Sequence, residues 1–588
     1  MTVPTPEVTP RSQLASRILV VVLVGLFLLG TAGFVFAAIS ARTDQAAGTT
    51  PDPVPSPASE ALLRVALAEP RSGASLPQVA DQAFATPDAA MEGEPDGSPG
   101  PTLAPSPSLG VLESPAPAAQ VVIAATPIVP VTGFWSASTG LTSDEVRRAL
   151  RTGQASGFRR VIVEDSIREA LGAATGLAVA DAVGSGDLSR VERAAAQGAL
   201  GFVAAPGLTP RLRALEVDGR SLFGNARIKR AGGWPLLADL PRPEDAVWAQ
   251  GDTWVLVAGG DSFTDRGVYD RVILRGQGVD HPFDGGTAQV TGKRCCDEVF
   301  GANVVPTYVR TGNKGLVRRL FTSADLAILN HESPITGASS FHRSGFIFGG
   351  RPDLTRIFSR AGIDWVSLAN NHIKDYGTQG IKDTRRVLRR YEIRFGGAGK
   401  DLAQARKVDV MDVAGVRVAI IPCVAVAPAA WAGPATSGGT PCEDAYVVPD
   451  IKRAARRADV VIVFPHWGAE YTRRPSTSQR RHAARWVKAG AHLVLGAHSH
   501  VAGAIEDIEG VPVLYSMGNL IFDQHWSTPT MESFIVEATF HAADLVQMRL
   551  HPFINHDQSQ PNLLDPTRGE GRLILRQVRG ASSDFLDW

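Results

Sequence analysis

Five short apolar runs in the second half of the sequence each end in a residue able to bind a metal ion, and a fold must bring those ends together for them to act. Trp254–Ala258 leads to Asp261, Leu326–Leu329 to Glu332, Trp365–Ala369 to Asn371-His372, Val460–Phe464 to His466, and Leu493–Leu495 to His498-Ser499-His500. Short runs rich in Val, Ile and Leu, separated by segments of helical period, read as buried parallel strands. The carboxyl ends of such strands form the rim where ligands bind. Taken singly the motifs are modest, since Gly259-Gly260-Asp261 also suits a turn and a lone His after a strand is commonly a hydrogen-bonded core group. Five coincident strand ends carrying Asp, Glu, Asn and His point to a metal or phosphoryl-type site in an α/β domain over residues 250–560.

The chain of 588 residues exceeds one ordinary core, so several segments are expected. Its 59 basic and 59 acidic residues give no net field for a polyanion, which argues for no nucleic acid partner. Ile18–Ile39 is an almost purely apolar stretch of 22 residues. At about 1.5 Å per residue it crosses a hydrocarbon core of about 30 Å. We read residues 1–17 as a cytoplasmic N-terminus, 18–39 as a single-pass membrane anchor and the bulk of the chain as extracytoplasmic, on the evidence of Arg11 and Arg17 ahead of the span. A cleaved signal peptide is the competing reading, although its apolar region runs only about 7–15 residues. Residues 40–119 read as a disordered stalk. From Ala46 to Ala119 the chain is rich in Pro, Ala and Ser and carries nine acidic and two basic residues.

Residues 120–240 read as a small α/β domain, with strands at Val121–Ala125, Arg160–Glu164 and Gly201–Ala205 and helices at Ser143–Arg151 and Leu188–Ala196. The phrases Val131-Thr132-Gly133-Phe134-Trp135-Ser136, Leu141-Thr142-Ser143-Asp144-Glu145-Val146 and Gly198-Ala199-Leu200-Gly201-Phe202 resemble a lobe of periplasmic phosphate-type solute-binding proteins. The resemblance leaves anion binding and a spacer role both open.

Residues 253–555 resemble the CapA proteins of poly-γ-glutamate capsule synthesis, which share the calcineurin-like metallophosphatase fold. The motifs that carry the resemblance are Gly260-Asp261 with Arg266, Asn330-His331-Glu332-Ser333-Pro334-Ile335-Thr336, Ser367-Leu368-Ala369-Asn370-Asn371-His372 with Asp375-Tyr376-Gly377, His466-Trp467-Gly468-Ala469-Glu470-Tyr471, Gly496-Ala497-His498-Ser499-His500 and Tyr515-Ser516-Met517-Gly518-Asn519. The resemblance implies a four-layer αββα sandwich. Helical character over Gly380–Arg390, and over Ser476–Lys488 between Ser476 and Gly490, agrees with it. Residues 561–588 read as a C-terminal tail.

Matching by motif, the resemblance implies that Glu332 bridges two metals, with Asn371, His466 and His498 completing one site. Asp261 and His500 belong to the other, where the His that typical family members place two residues after the Asp is Phe263. The cofactors implied are divalent metal ions, Mn, Fe or Zn, one or two per chain. Asn370, Asp375 and Glu470 are expected to orient these ligands through hydrogen bonds. His372 falls where phosphatases keep a general acid, and the alternative is a loop-holding hydrogen bond. Arg266 is a candidate to pair with an anionic substrate group; it and Glu470 equally suit ion pairs. His342, His482, His492 and His525 read as structural or exposed.

Among Cys295, Cys296, Cys423 and Cys442 the preferred pairing is Cys423 with Cys442, which would close one Gly/Pro/Ala-rich loop. Arg473, Arg474, Arg480 and Arg481 form a local basic cluster, either a polymer contact or a solvated helix face. Two functions follow. One is a membrane-anchored metal-dependent hydrolase of capsule synthesis or export, acting on a phosphoester or on amide bonds of an anionic polymer such as poly-γ-glutamate. The other is a non-catalytic polymer-binding component. Other capsule-synthesis subunits and the membrane are the expected partners.

Overall fold

A computed structural model describes residues 121–297 and 301–582. The expected span at Ile18–Ile39 and the stalk lie outside the described residues. Among the described residues no helix is long and apolar enough to cross a membrane.

The first lobe is built on β1 (Val121–Gly133), α1 (Ser143–Thr152), β2 (Val161–Glu164), α2 (Leu188–Ala196) and β3 (Leu200–Ala204). Its sheet is mixed: β2 and β3 are parallel, while β1 runs antiparallel to β3. α1 and α2 are set by their ends, with Thr142 in a capping box with Glu145 and Asp187 accepting from the Arg190 amide. The lobe has its own apolar core and also reaches the rest of the chain. Gln547 accepts from the Ala214 amide at 2.9 Å, and Arg211 pairs with Asp507 at 2.8 Å.

The expected apolar runs are all strands, divided between two sheets. In the larger sheet β4 (Thr253–Ser262), β5 (Leu326–His331) and β6 (Trp365–Ser367) lie side by side in parallel. Helix α3 (Gly377–Arg390) leads on to β7 (Arg394–Gly396), which is parallel to β6. The smaller sheet holds β8 (Val416–Val424), then, after α4 (Asp444–Ala454), β9 (Val460–His466). Helix α5 (Thr477–Ala489) leads to β10 (Leu493–Leu495), and β11 (Val511–Leu514) follows. These four strands are parallel in the order β8-β9-β10-β11, and antiparallel strands at the two edges, Val410–Val413 beside β8 and Ile505–Ile508 beside β11, complete the sheet.

Alternation along each strand produces the layers. Trp254, Leu256 and Ala258 of β4 share one core with Val418, Ile420, Val460, Ile462 and Leu493 of the smaller sheet, so the two sheets face each other. The intervening residues Val255 and Val257 pack with Ile381 and Leu388 of α3 on the outer face. On the opposite side Ala419, Ile421, Val461 and Val463 pack with Val447 and Ile451 of α4 and Trp486 of α5. This is a helix–sheet–sheet–helix sandwich. Helix α5 has the expected signals at its ends: Ser476 and Gln479 exchange bonds of 3.2 and 2.9 Å, and Gly490 closes the helix at φ 110°.

The larger sheet is extended by β12 (Asn519–Ile521), parallel to β4, and by the antiparallel pair β13 (Glu532–His541) and β14 (Asp544–His556). The domain does not stop at residue 560, as the reading of 561–588 as a tail supposed. Gln560–Leu563 pairs with β14, and helix α6 (Gly569–Ala581) places Ile574 and Val578, one turn apart, in the inter-sheet core.

Cys423, at the end of β8, is bonded to Cys442, as preferred. The bond spans 19 residues of sequence and bounds the loop between β8 and α4. By loop-closure entropy it stabilises the fold by about 3 kcal/mol. The Cys423→Ser/Cys442→Ser double variant is therefore expected to unfold at a clearly lower denaturant midpoint. An unchanged midpoint would show that the loop is held by packing alone.

Candidate metal centre

The carboxyl ends of β4, β5, β9 and β10 converge where the two sheets meet. Asp261, in register with Asn330 of β5 and Asn519 of β12, is 0% exposed, as is Glu332 just beyond β5. The close approach of β4 to the Met517-Gly518 turn requires a glycine. A Cβ on Gly260 would lie 1.9 Å from the Gly518 carbonyl, which accepts from the Asp261 amide at 2.9 Å. His498 and His500 have φ of 94° and 59°, left-handed conformations that cost roughly 1–3 kcal/mol each. This backbone turns both imidazoles to the same centre.

Two overlapping groups result, Glu332 with His466 and His498, and Asp261 with Glu332 and His500, each with its ligand atoms within 4.8 Å of one another. Glu332 is common to both, as motif matching implied. His466 Nε2 lies 2.7 Å from Asn371 Oδ1, 3.1 Å from His498 Nδ1 and 3.5 Å from Glu332 Oε1. One ring nitrogen carries at most one proton, so it cannot satisfy all three. Both oxygens of Glu332 are buried without a hydrogen bond. Such a carboxylate costs several kcal/mol unless a cation or a proton neutralises it. Two carboxylates, three imidazoles and an amide oxygen suit a divalent cation, and the residues present fit one.

Burial sets the protonation of the metal-free site. It holds His466 well below the ordinary imidazole range, with neighbouring His498 and His500 adding to the effect, and it lowers His498 and His500 to about 3. All three are therefore neutral, as metal ligands must be. Burial lifts Glu332 well above the carboxylate range, assisted by the charge of Asp261. It lifts Asp261 to about 7 against the bonds it receives from Asn330 and the His498 amide.

Around these ligands a ring of hydrogen bonds fixes orientation. Asn330 Nδ2 donates to Asp261 Oδ1 at 2.8 Å, and Asn370 donates to Asn330 Oδ1 at 3.2 Å and to the His331 carbonyl at 2.8 Å. Asn519 Oδ1 meets His500 Nδ1 at 2.8 Å. Asp375 Oδ2 is 2.8 Å from His372 Nδ1 and accepts from the Phe348 amide at 2.7 Å, so it orients His372 rather than a ligand of the centre. The His372 ring stacks on Phe348 at 3.9 Å. Glu470 is bonded to the Tyr471 side chain, and burial raises its carboxyl. Arg266 is buried in an ion pair with Asp523 at 2.5 Å and donates to the Gly345 carbonyl at 2.8 Å. Its guanidinium lies 4.6 Å from the Phe348 ring centroid.

Phe263 is fully buried against Phe522 at 4.2 Å, in an aromatic cluster beside His500. Its group accordingly offers three side chains, Asp261, Glu332 and His500. Sequence reasoning named Asn330 and Asn519 only inside longer phrases and did not single out Phe348. Their signal is position, at strand ends or beside Asp375, and it becomes readable once the register is known. His482, His492 and His525 hydrogen-bond within the fold, to Asp444, the Val461 amide and the Gln558 amide, and His342 lies 3.5 Å from Asp265.

The raised carboxyls give a pH dependence with a definite sign. Asp261 has an ordinary value of 3.8 and about 7 in the fold, so its protonated form is the one the metal-free fold prefers. Its contribution is intact below the ordinary value and is lost as pH rises towards 7. The lowered His466, His498 and His500 act in the opposite sense over the same range, so the carboxyl effect is read as a difference: chelator-treated wild type is expected to lose midpoint relative to Asp261→Asn between about pH 5 and about pH 8, with divalent ion restoring it at the higher pH. A difference between wild type and Asp261→Asn that stays flat or changes in the other direction over that window contradicts this electrostatic account.

With the geometry in hand, comparison with known proteins gives a consistent result. Residues 255–524 match the family model described as bacterial capsule synthesis protein PGA_cap. The Bacillus subtilis PGA biosynthesis protein CapA is 32% identical over 225 residues, 38% of this chain and 59% of that protein. The capsule biosynthesis protein CapA of Bacillus anthracis is 32% identical over 199 residues, 33% of this chain and 48% of that protein. The chain thus spans between about half and three fifths of these relatives' length. Among solved structures, the NAD nucleotidase of Haemophilus influenzae aligns at TM-score 0.31 and 12% identity over 57% of this chain and 65% of that one, too low to bear on function. The stretch that gathers Asp261, Glu332, His466, His498 and His500 is thus similar to the bacterial capsule synthesis family, and over that stretch the chain resembles the CapA proteins.

Proposed function

We propose that this chain is a component of poly-γ-glutamate-type capsule synthesis or export whose C-terminal domain is a metal-dependent hydrolase of phosphoester or polymer amide bonds. The observation that carries the reading is the Glu332 carboxylate, buried, without a hydrogen bond and shared by two ligand groups. Mn, Fe or Zn suits the donor set. Glu332, His466, His498 and Asn371 would hold one divalent ion and Asp261, Glu332 and His500 a second, and such ions would supply Lewis-acid polarisation of the attacked centre.

The chain's own residues do the rest. His372 is held at Nδ1 by Asp375, which leaves Nε2 as the nitrogen to pass a proton to a departing oxygen or nitrogen. Phe348, stacked on that ring, limits its rotation and excludes water from one face. Arg266 supports Phe348 and the Gly345 carbonyl, a positioning role, since its charge is already met by Asp523. A membrane anchor at residues 18–39, with the bulk of the chain extracytoplasmic, is part of the proposal. The apolar run and the Cys423–Cys442 bond support it, because disulfides persist in oxidising compartments. Other capsule-synthesis subunits are the proposed partners.

Phe263 favours a second reading. With three side chains in one group, the domain would bind metal for stability and act by holding polymer. Metal content and turnover of a chromogenic phosphoester, measured on the full chain and on His466→Ala/His498→Ala, separate the two. The hydrolase predicts metal in the wild type, its loss from a folded variant and a fall in rate of about a hundredfold or more. Metal without turnover of any ester or polymer amide would leave the binding role. His372→Ala is expected to slow poor leaving groups by roughly 10²–10⁴-fold and activated ones much less, and an equal effect on both would remove His372 as the acid.

A further inference from the structure

The basic cluster prominent in the sequence is largely occupied inside the fold. Arg480 forms a two-pronged pair with Glu506 at 2.7 Å, and Arg473 donates to the Ala502 carbonyl at 2.7 Å. The structure instead gathers cations at the end of α3 and along β7. There an open groove of about 380 Å³ is lined by Arg385, Arg389, Arg394 and Lys407, with Phe395 among its walls. That volume lies within the about 300–1,000 Å³ usual for ligand clefts.

Its charges are arranged against their own repulsion. Arg385 and Arg389, one turn apart on α3, both lie over the Phe395 ring, with guanidinium carbons 5.1 and 5.3 Å from its centroid. Arg385 is anchored by a 2.5 Å bond to the Ala398 carbonyl, and neither it nor Arg389 nor Lys407 has an acidic partner among the described residues. Arg394 pairs with Asp409 at 2.5 Å, and Glu392 is the other acid of the lining. Four cations against two anions leave a local excess of positive charge in a chain whose formal net charge is zero.

We infer that this groove binds a segment of a polycarboxylate chain, separate from the metal centre, with Arg389 and Lys407 as its principal contacts. Guanidinium groups donate bidentately to carboxylates, and an open groove lets a chain run through. The choice of carboxylates over phosphates rests on the capsule-polymer reading above.

The test is binding of poly-γ-glutamate to the full chain, with single-stranded DNA of matched charge as the competing probe and metal content read in the same samples. The expected result is salt-sensitive binding of poly-γ-glutamate, weakened about tenfold or more in Arg389→Ala/Lys407→Ala at unchanged metal content and melting midpoint. Glu392→Gln, which removes a repelling charge, is expected to tighten it. Equal binding by wild type and the double variant overturns the inference, as does preference for DNA through the same residues. Polymer binding by protein that holds no metal upholds the groove while overturning the hydrolase, and metal without polymer binding does the reverse.

Discussion

A buried carboxylate with no donor group beside it, and with only the acid Asp261 to share a proton, is the constraint at the seam of two sheets to which the rest of this domain answers. Glu332 is stable there only when positive charge or a proton comes to it. The surrounding polar groups are placed accordingly: imidazoles kept neutral by burial, Asp261 held from two sides, and His498 and His500 in strained backbone conformations. That strain persists because the turn carrying them is tied down. Ser499 Oγ donates to the Val501 carbonyl at 3.1 Å and the Ala497 amide donates to the Pro465 carbonyl at 3.0 Å. The centre is thus built from long-range pairing, and no single segment of the chain contains it.

Much of this was legible in the sequence, for a physical reason. Buried parallel strands are apolar on both faces, so runs such as Val460–Phe464 stand out, and the polar residue that follows marks the rim. What could not be read was the allocation of runs to sheets. Leu326–Leu329 and Val460–Phe464 look alike, and only packing places them on opposite sides of one core. Antiparallel β13 and β14, and helix α6 beyond residue 560, were missed because they owe their stability to distant neighbours rather than to local punctuation.

Side-chain roles divide along the same line. Residues that supply a donor atom, such as His466 and Asp261, are recognisable by type and place. Residues that act through a partner are not. Arg266 is a strong candidate for anion contact until Asp523 is found beside it, and Arg480 until Glu506 is. Conversely, the charges of Arg389 and Lys407 gain meaning only when α3 and β7 set them around one groove. A zero net charge therefore does not preclude a polyanion-binding surface; it requires one to be local.

The central claim is that Glu332 is neutralised by metal. The most direct test is anomalous diffraction from crystals of the full chain loaded with Mn, Fe or Zn. The account predicts a peak bounded by Glu332, His466 and His498, with any second peak bounded by Asp261, Glu332 and His500. A loaded crystal with no peak at Glu332, and with its carboxyl instead protonated and hydrogen-bonded to a neighbour, would contradict it.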